Sequence, residues 1–282
     1  MPILHLILES YSELKESSSE FSFSERDLNS IYLKKFTIIL PAYNEEKRIT
    51  PVLNDICHFI SENKLPWDVV VSIDGNDTTY NIARTFARNY EFITIDRSNG
   101  RSGKGGAIKR VLQEINGEYT ILMDADNSMD FIDVIRAVPL LEKCDVAILS
   151  RYTVNNRIPF LRRFLSRGFN IIVRSITGLN VSDTQSGYKI FRTEFFVSSM
   201  RKVTVTNASY DVPLLYYIKK MGGRIMETSA DYTHADDGKL NPLSMAMSFG
   251  ISLVAFRIRN SPLASHIPKF LIKLYNRKFR WI

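Results

Sequence analysis

In the first half of the chain, short apolar runs alternate with stretches whose apolar residues recur every three or four positions. That alternation predicts strands and amphipathic helices in turn. Residues 36–40 form a β-rich run closed by Pro41, and Thr50 followed by Pro51 supplies an N-cap and an N1 proline ahead of Val52, Leu53, Ile56, Phe59 and Ile60. A second strand is predicted over 67–73, a turn at Asp74-Gly75-Asn76-Asp77 and a helix over 79–89. Residues 92–95 read as a third strand, after which a glycine-rich loop from Asn99 to Gly106 opens a helix running to Ile115. The fourth strand, 119–123, is followed by a helix over 132–141 and a strand over 146–149. Connections this short predict an α/β fold with a mostly parallel central sheet flanked by helices.

The pattern loosens after residue 150. A helix with aromatics and aliphatics among its arginines is predicted over 159–177, a short strand over 188–191, and a helix over 210–221 that Gly222-Gly223 stops. A last strand fits 224–232 and a mainly apolar helix 242–259. Residues 1–33 are rich in serine and acids without a sustained period, and read as a loosely attached N-terminal extension. We therefore expect a main domain over 34–241, then an amphipathic helix and basic tail over 242–282 that face a membrane. No apolar stretch is long and uninterrupted enough to span a bilayer, so membrane contact is expected to be peripheral.

Composition narrows the class further. The 282 residues are 45% apolar and 24% charged, which excludes a disordered chain and allows one substantial core. Cys57 and Cys144 sit in apolar segments without metal-ligand spacing, and the four histidines are scattered, so neither a disulfide framework nor a zinc centre is expected. The net charge of +7 is unevenly spread. Residues 146–182 hold Arg151, Arg157, Arg162, Arg163, Arg167 and Arg174 and no acid, and the segment from Arg257 onward is again basic without an acid. Basic residues interleaved with Phe, Leu and Ile suit an anionic membrane surface. No nucleic-acid-binding motif accompanies them, so nucleic acid is not an expected partner.

The candidate chemistry gathers where strands end. The run from Tyr119 to Met123 delivers Asp124 and Asp126 to the C-terminal edge of the sheet, where open α/β sheets bind ligands. Two hard oxygen ligands a residue apart suit Mg²⁺ or Mn²⁺ shared with a diphosphate, although a capping role explains an isolated Asp126 as well. After the first predicted strand, Tyr43 offers a ring to stack on a base, with Asn44 and Glu45 beside it. Asp74 follows the second strand and can accept from a base N–H. Lys104, in Gly103-Lys104-Gly105-Gly106, follows the third and can meet an anion at a helix start. That loop is not a P-loop, since Gly105 stands where Ser or Thr should follow the lysine, nor does it complete a dinucleotide fingerprint.

In this order and spacing, Pro41-Ala42-Tyr43-Asn44-Glu45, Asp74-Gly75, Gly103-Lys104-Gly105 and Asp124-Ala125-Asp126 resemble the family 2 glycosyltransferases of GT-A fold. The second half is similar to the branch that makes dolichyl-phosphate sugars, the β-glucosyltransferases first and the mannose synthases next. That likeness rests on the motif from Asp183 to Phe191, on Tyr210-Asp211-Val212-Pro213 and on Gly238-Lys239-Leu240 before an apolar helix ending in Arg257-Ile258-Arg259.

The resemblance implies inverting transfer of a hexose from a nucleotide sugar, UDP-glucose or alternatively GDP-mannose, to dolichyl or another polyprenyl phosphate at the cytoplasmic membrane face. Carried over by position, Pro41, Tyr43, Glu45 and Asp74 hold the nucleotide. Asp126 and Asp124 hold Mg²⁺ or Mn²⁺ and, with Lys104, face the diphosphate and sugar. Gln185, Lys189 and Lys239 approach the sugar or the acceptor phosphate, and Lys239 joins Asp124, Asp126 and Asp211 as a candidate for catalysis. Two other readings stay open: a hydroxyl acceptor served by Asp211, Asp236 or Asp237 as base, and a non-catalytic nucleotide-sugar binder at a membrane.

Besides the hydrophobic N-terminal anchor of the eukaryotic glucosyltransferases, which is not expected here, three positions depart from the family pattern. The turn after Asp74 is one residue shorter before Asp77, Ser128 stands where the mannose synthases carry a further metal ligand, and Pro213 replaces an acid. The last departure favours a phosphate acceptor. A hydroxyl must lose a proton to a positioned base as it attacks, whereas a phosphate monoester already carries about −1.5 to −2 charge and attacks directly.

Overall fold

The computed structural model describes residues 30–98, 100–152, 173–175 and 177–232, with positions 250, 253, 255–258 and 260. Seven strands are present among them: β1 (Phe36–Tyr43), β2 (Asp68–Asp74), β3 (Ile93–Arg97), β4 (Tyr119–Leu122), β5 (Val146–Ser150), β6 (Lys189–Arg192) and β7 (Ile225–Ser229). They form one sheet in the order β3-β2-β1-β4-β6-β5-β7. Only β6 runs against the others, pairing antiparallel with β4 and β5. The helices are α1 (Ile49–Asn63), α2 (Thr79–Asn89), α3 (Lys104–Arg110), α4 (Phe131–Ala137), α5 (Thr193–Lys202) and α6 (Asp211–Lys220).

Alternate residues of the central strands feed two cores. Ile38, Leu40, Val69, Val71 and Ile121 join one cluster with Val52, Ile56, Val134 and Ile135 of α1 and α4. Ile39, Val70, Leu122 and Ile148 join the other with Ile108, Phe196, Leu214 and Ile218 of α3, α5 and α6. Burial on both faces is why β1, β2, β4 and β5 read as continuous apolar runs rather than alternating ones.

The predicted alternation over residues 36–150 is the observed one, with local corrections. β1 runs on through Pro41, which pairs in register with Ser72; pairing with β4 ends at Ile39, so the proline interrupts no second ladder. Helix α1 starts at Ile49, with Arg48 at the cap and no side-chain bond to it. Thr50 is therefore helical, and Pro51 falls third in the helix, where the N–H has no intrahelical partner anyway. α3 stops at Arg110 rather than Ile115, and Pro139 converts the end of the helix predicted over 132–141 into a 3-10 turn over Val138–Glu142. Helix α5 lay outside the predicted elements. Its Phe196, Ser199 and Met200 share a buried face, but Thr193, Phe195, Phe196 and Val197 also favour strand, which hid the helical period.

At the start of the described residues, Ile31 and Tyr32 are buried in the first core. The Tyr32 hydroxyl donates to the Ile135 carbonyl (2.9 Å), and the Tyr32 backbone carbonyl accepts from the Trp67 indole N–H (3.0 Å). Of the helix predicted over 242–259, Leu253 and Phe256 are buried in the second core, with Phe256 edge-on to Tyr216 and Tyr217. Most of the arginine-rich helix predicted over 159–177, the Gly238-Lys239-Leu240 motif with Asp236 and Asp237, and the basic tail from 261 lie outside the described residues. Among the described residues no helix is long and apolar enough to cross a membrane.

Candidate active site

Parallel strands end at one edge, and the single reversed strand begins there, which is how residues far apart in the chain converge. Tyr43 closes β1 directly opposite Asp74 at the end of β2. Asp124 and Asp126 follow β4, and Gly187 and Tyr188 lead into β6.

The turn after β4 is built for its acids. Asn127 takes a left-handed conformation (φ 56°), which lets the Ser128 N–H turn back and donate to Asp126 Oδ1 at 3.0 Å. Asp124 pairs with the Lys104 ammonium and packs against Gly187, where a Cβ would overlap its Oδ2. Ser128 itself is buried, with its hydroxyl 3.4 Å from that of Tyr188. Glu45 comes near both acids. Burial raises its carboxyl from 4.5 to about 7, and Asp126 and Asp124 add to the rise against the pull of Arg48, which bonds it at 2.8 Å. Asp124 is paired with Lys104 and Glu45 with Arg48, while Asp126 is bonded only by the Ser128 N–H among the described contacts, so a divalent cation would add positive charge beside these acids. No three acidic, histidine or cysteine side chains form a complete cage among the described residues. Two carboxylates with further oxygens from phosphate and water are the donor set that Mg²⁺ and Mn²⁺ accept.

Lys104 is the first residue of α3. Burial works against its charge, but Asp124, Asp211 and Asp126 outweigh that and hold its pKa above the ordinary lysine value. The glycines around it serve packing. A Cβ on Gly105 would sit 2.8 Å from Tyr210 Cβ, one on Gly103 (φ 76°) 2.6 Å from the Thr206 carbonyl, and the Gly106 N–H donates to that same carbonyl at 2.9 Å. They let α3 lie directly on the segment before α6, bringing Lys104 beside Asp124.

Asp74 is bonded within the protein. It is 3% exposed and accepts from the Ser102 N–H (2.6 Å) and hydroxyl (2.8 Å) while pairing with Arg110 at 3.0 Å. Arg110 also binds Asp96 and Ser72, so this network ties β2, β3 and α3 to the glycine loop. The Asp74 carboxylate is taken up within this network. Beside it lies an open pocket of about 150 Å³ lined by Tyr43, Asn44, Gly75, Asn76, Asp77, Gly100 and Arg101. Tyr43 is 43% exposed there, with the Arg101 guanidinium 4.5 Å from its ring centre.

Two further residues expected at the substrate are held inside the protein. Lys189, expected at the acceptor phosphate, is fully buried; its ammonium donates to Asp211 Oδ1 at 2.6 Å and to the Ser186 carbonyl. Burial lowers its pKa despite Asp211. Asp211, a candidate base, is 3% exposed and held in that ion pair. Lysine and aspartate amid apolar neighbours in strand 188–191 and helix 210–221 carried a signal for such a pair. Gln185 lies half-buried in the loop over residues 182–187, next to Asp124's neighbour Gly187. Glu227 was not singled out in the sequence and Arg151 only among the basic residues suited to a membrane surface; both hold that loop, through Asp183 and Ser182.

Residues 37–198, more than half of the chain, match the family described as Glycosyl transferase family 2, and the chain belongs to that family of glycosyltransferases. Among curated relatives, a dolichyl-phosphate β-glucosyltransferase of Dictyostelium discoideum is 29% identical over 254 residues, covering 84% of this chain and 77% of its own. The Saccharomyces cerevisiae enzyme of that name is 26% identical over 278 residues, covering 88% and 82%. In fold, glucosyl-3-phosphoglycerate synthase of Mycobacterium tuberculosis matches with a TM-score of 0.61 at 17% identity, covering 84% of this chain and 85% of that one. The structure of that enzyme in complex with Mn²⁺, UDP and phosphoglyceric acid matches at 0.60 and 15%, covering 85% and 83%. These likenesses establish the expected GT-A fold.

Proposed function

We propose that this chain transfers glucose from UDP-glucose to dolichyl or another polyprenyl phosphate, with inversion at the sugar carbon, at the cytoplasmic face of a membrane. The observation that carries the reading is the end of β4, where Asp124 and Asp126 sit beside Lys104 and the crowded carboxylate of Glu45. Names of the similar proteins support the sugar and the acceptor.

The pocket at the ends of β1 and β2 receives the base, with Tyr43 and Arg101 offering flat faces to stack on. Asp126 and Asp124 would hold Mg²⁺ or Mn²⁺. Bound there, the ion neutralises charge building on the departing diphosphate. Lys104 adds a fixed positive charge at the same place, and its salt bridge to Asp124 keeps it there before the donor binds. Gln185, on the loop that packs against Asp124, faces the sugar. Lys239 keeps its assignment at the acceptor phosphate from the family resemblance, which Lys189, buried with Asp211, loses. A phosphate nucleophile needs no proton acceptor, which agrees with a site whose described candidate base is already paired.

The test is transfer of labelled sugar from UDP-glucose and, separately, GDP-mannose to a polyprenyl phosphate in detergent, with Mg²⁺, Mn²⁺ or chelator. Glucolipid is expected from UDP-glucose alone, abolished by chelator and reduced by about a hundredfold or more in Asp126→Ala. Mannolipid alone would reassign the donor, and no glycolipid from either would overturn the acceptor.

A further inference from the structure

The loop over residues 182–187 is tied down by groups placed away from the reacting atoms. Its far end, Gly187, lies so close to Asp124 that a Cβ would overlap the carboxylate. The position of Asp124 therefore depends on where the loop backbone runs. Two anchors fix its near end. Asp183, 1% exposed, receives the Arg151 guanidinium through Nε at 2.8 Å and Nη2 at 2.7 Å, and the Arg151 N–H at 3.0 Å. From the other side, Glu227 accepts the Ser182 N–H at 2.6 Å and the Asp183 N–H at 2.7 Å. The hydroxyl of Ser186 closes the loop onto the Leu149 carbonyl at 2.5 Å.

Both anchors are mounted on paired strands. Arg151 directly follows β5, and Glu227 sits on β7 opposite Ile148 of β5. β7 is an edge strand whose residues are partly or largely exposed, where a glutamate ordinarily serves solvation. Glu227 instead spends both carboxylate oxygens on backbone N–H groups. Such charge-assisted bonds are about twice as strong as neutral ones, and they hold a segment that has no ladder of its own to satisfy it.

We propose that Glu227 is a positioning residue: by holding the Ser182 and Asp183 N–H groups it sets the course of the loop to Gly187, and so the placement of the Asp124 carboxylate toward a divalent cation and diphosphate. The proposal rests on reading Asp124 and Asp126 as the acids that hold the cation. Its consequence is that an exposed edge strand governs metal affinity through a loop backbone.

The experiment measures Mn²⁺ binding in the presence of UDP by electron paramagnetic resonance on the full chain, alongside thermal unfolding and steady-state kinetics. Wild type is compared with Glu227→Ala, Glu227→Gln and Gly187→Ala. In Glu227→Ala, Mn²⁺ affinity and kcat are expected to fall about tenfold or more, as for other residues that orient metal ligands, while KM for UDP-glucose changes less. Glu227→Gln keeps one carbonyl acceptor and should lie between. Gly187→Ala, with Glu227 intact, should reproduce the loss by displacing Asp124 directly. A folded Glu227→Ala chain that binds Mn²⁺ like wild type overturns the proposal, whatever its melting temperature. If that variant does not fold, Glu227→Gln with unchanged Mn²⁺ affinity overturns it equally. A wild type that binds Mn²⁺ and UDP but makes no glycolipid defeats the proposed acceptor and leaves this comparison intact.

Discussion

Removing one member of the Lys189–Asp211 pair strands the other. The ion pair spans β6 and the first turn of α6 at 2.6 Å, with side chains 0% and 4% exposed. Lys189→Met leaves the Asp211 carboxylate buried without its bonded ammonium, and breaking a buried pair on one side costs about 3–5 kcal/mol. For a domain of this size each kcal/mol lowers Tm by about 2–4 °C, so the expected fall is about 6–20 °C. Asp211→Asn should cost less, because Lys189 already has a lowered pKa and can shed its proton. The double variant Lys189→Met, Asp211→Asn removes both charges together and should return to within about 2 kcal/mol of wild type. Denaturant unfolding measures the three stabilities, and glycolipid formation is assayed on the same preparations. If the pair holds β6 to α6 and takes no part in proton transfer, activity in the double variant recovers with stability, to within about tenfold of wild type. A double variant that is stable yet slower by the 10²–10⁴ that a general base contributes would refute the reasoning and restore Asp211 as a proton acceptor.

Glu45 links stability to pH. A carboxyl whose folded pKa is raised stabilises the protein fully below its unfolded value of 4.5, and that contribution is lost as pH rises through about 7. The full shift corresponds to about 3 kcal/mol, trimmed to about 1–2 kcal/mol by solvent around a half-buried group. Glu45→Gln should therefore gain on wild type between pH 5 and pH 8 in metal-free urea unfolding; parallel curves would count against a Glu45 carboxyl raised chiefly by burial. Gly105→Ala places a methyl 2.8 Å from Tyr210 Cβ and near the Val205 carbonyl, and overpacking of this kind costs about 1–3 kcal/mol. A Tm equal to that of wild type would show that α3 does not lie on the segment before α6.

The sequence by itself determined the order of strands and helices through residue 150, since burial on both faces demands apolar runs and short connections leave few topologies. It also placed Tyr43, Asp74, Lys104, Asp124 and Asp126 at one edge, because every parallel strand ends there. Tertiary structure alone decided what each charge faces. Asp74 turns to Ser102 and Arg110, 28 and 36 positions on, and Lys189 to Asp211, 22 positions on, all separations far beyond the reach of one helical turn or of neighbouring strand positions. The glycines of the Lys104 loop look like an anion cradle in sequence, yet in space they admit the backbone of Thr206 and Asn207. Glu227 looks like an ordinary edge-strand residue until its carboxylate is seen on Ser182 and Asp183. Apolar pattern reports burial, which is a property of one residue and its neighbours in the chain. Charge pairing depends on which loops the folded sheet brings together, and no local pattern carries that.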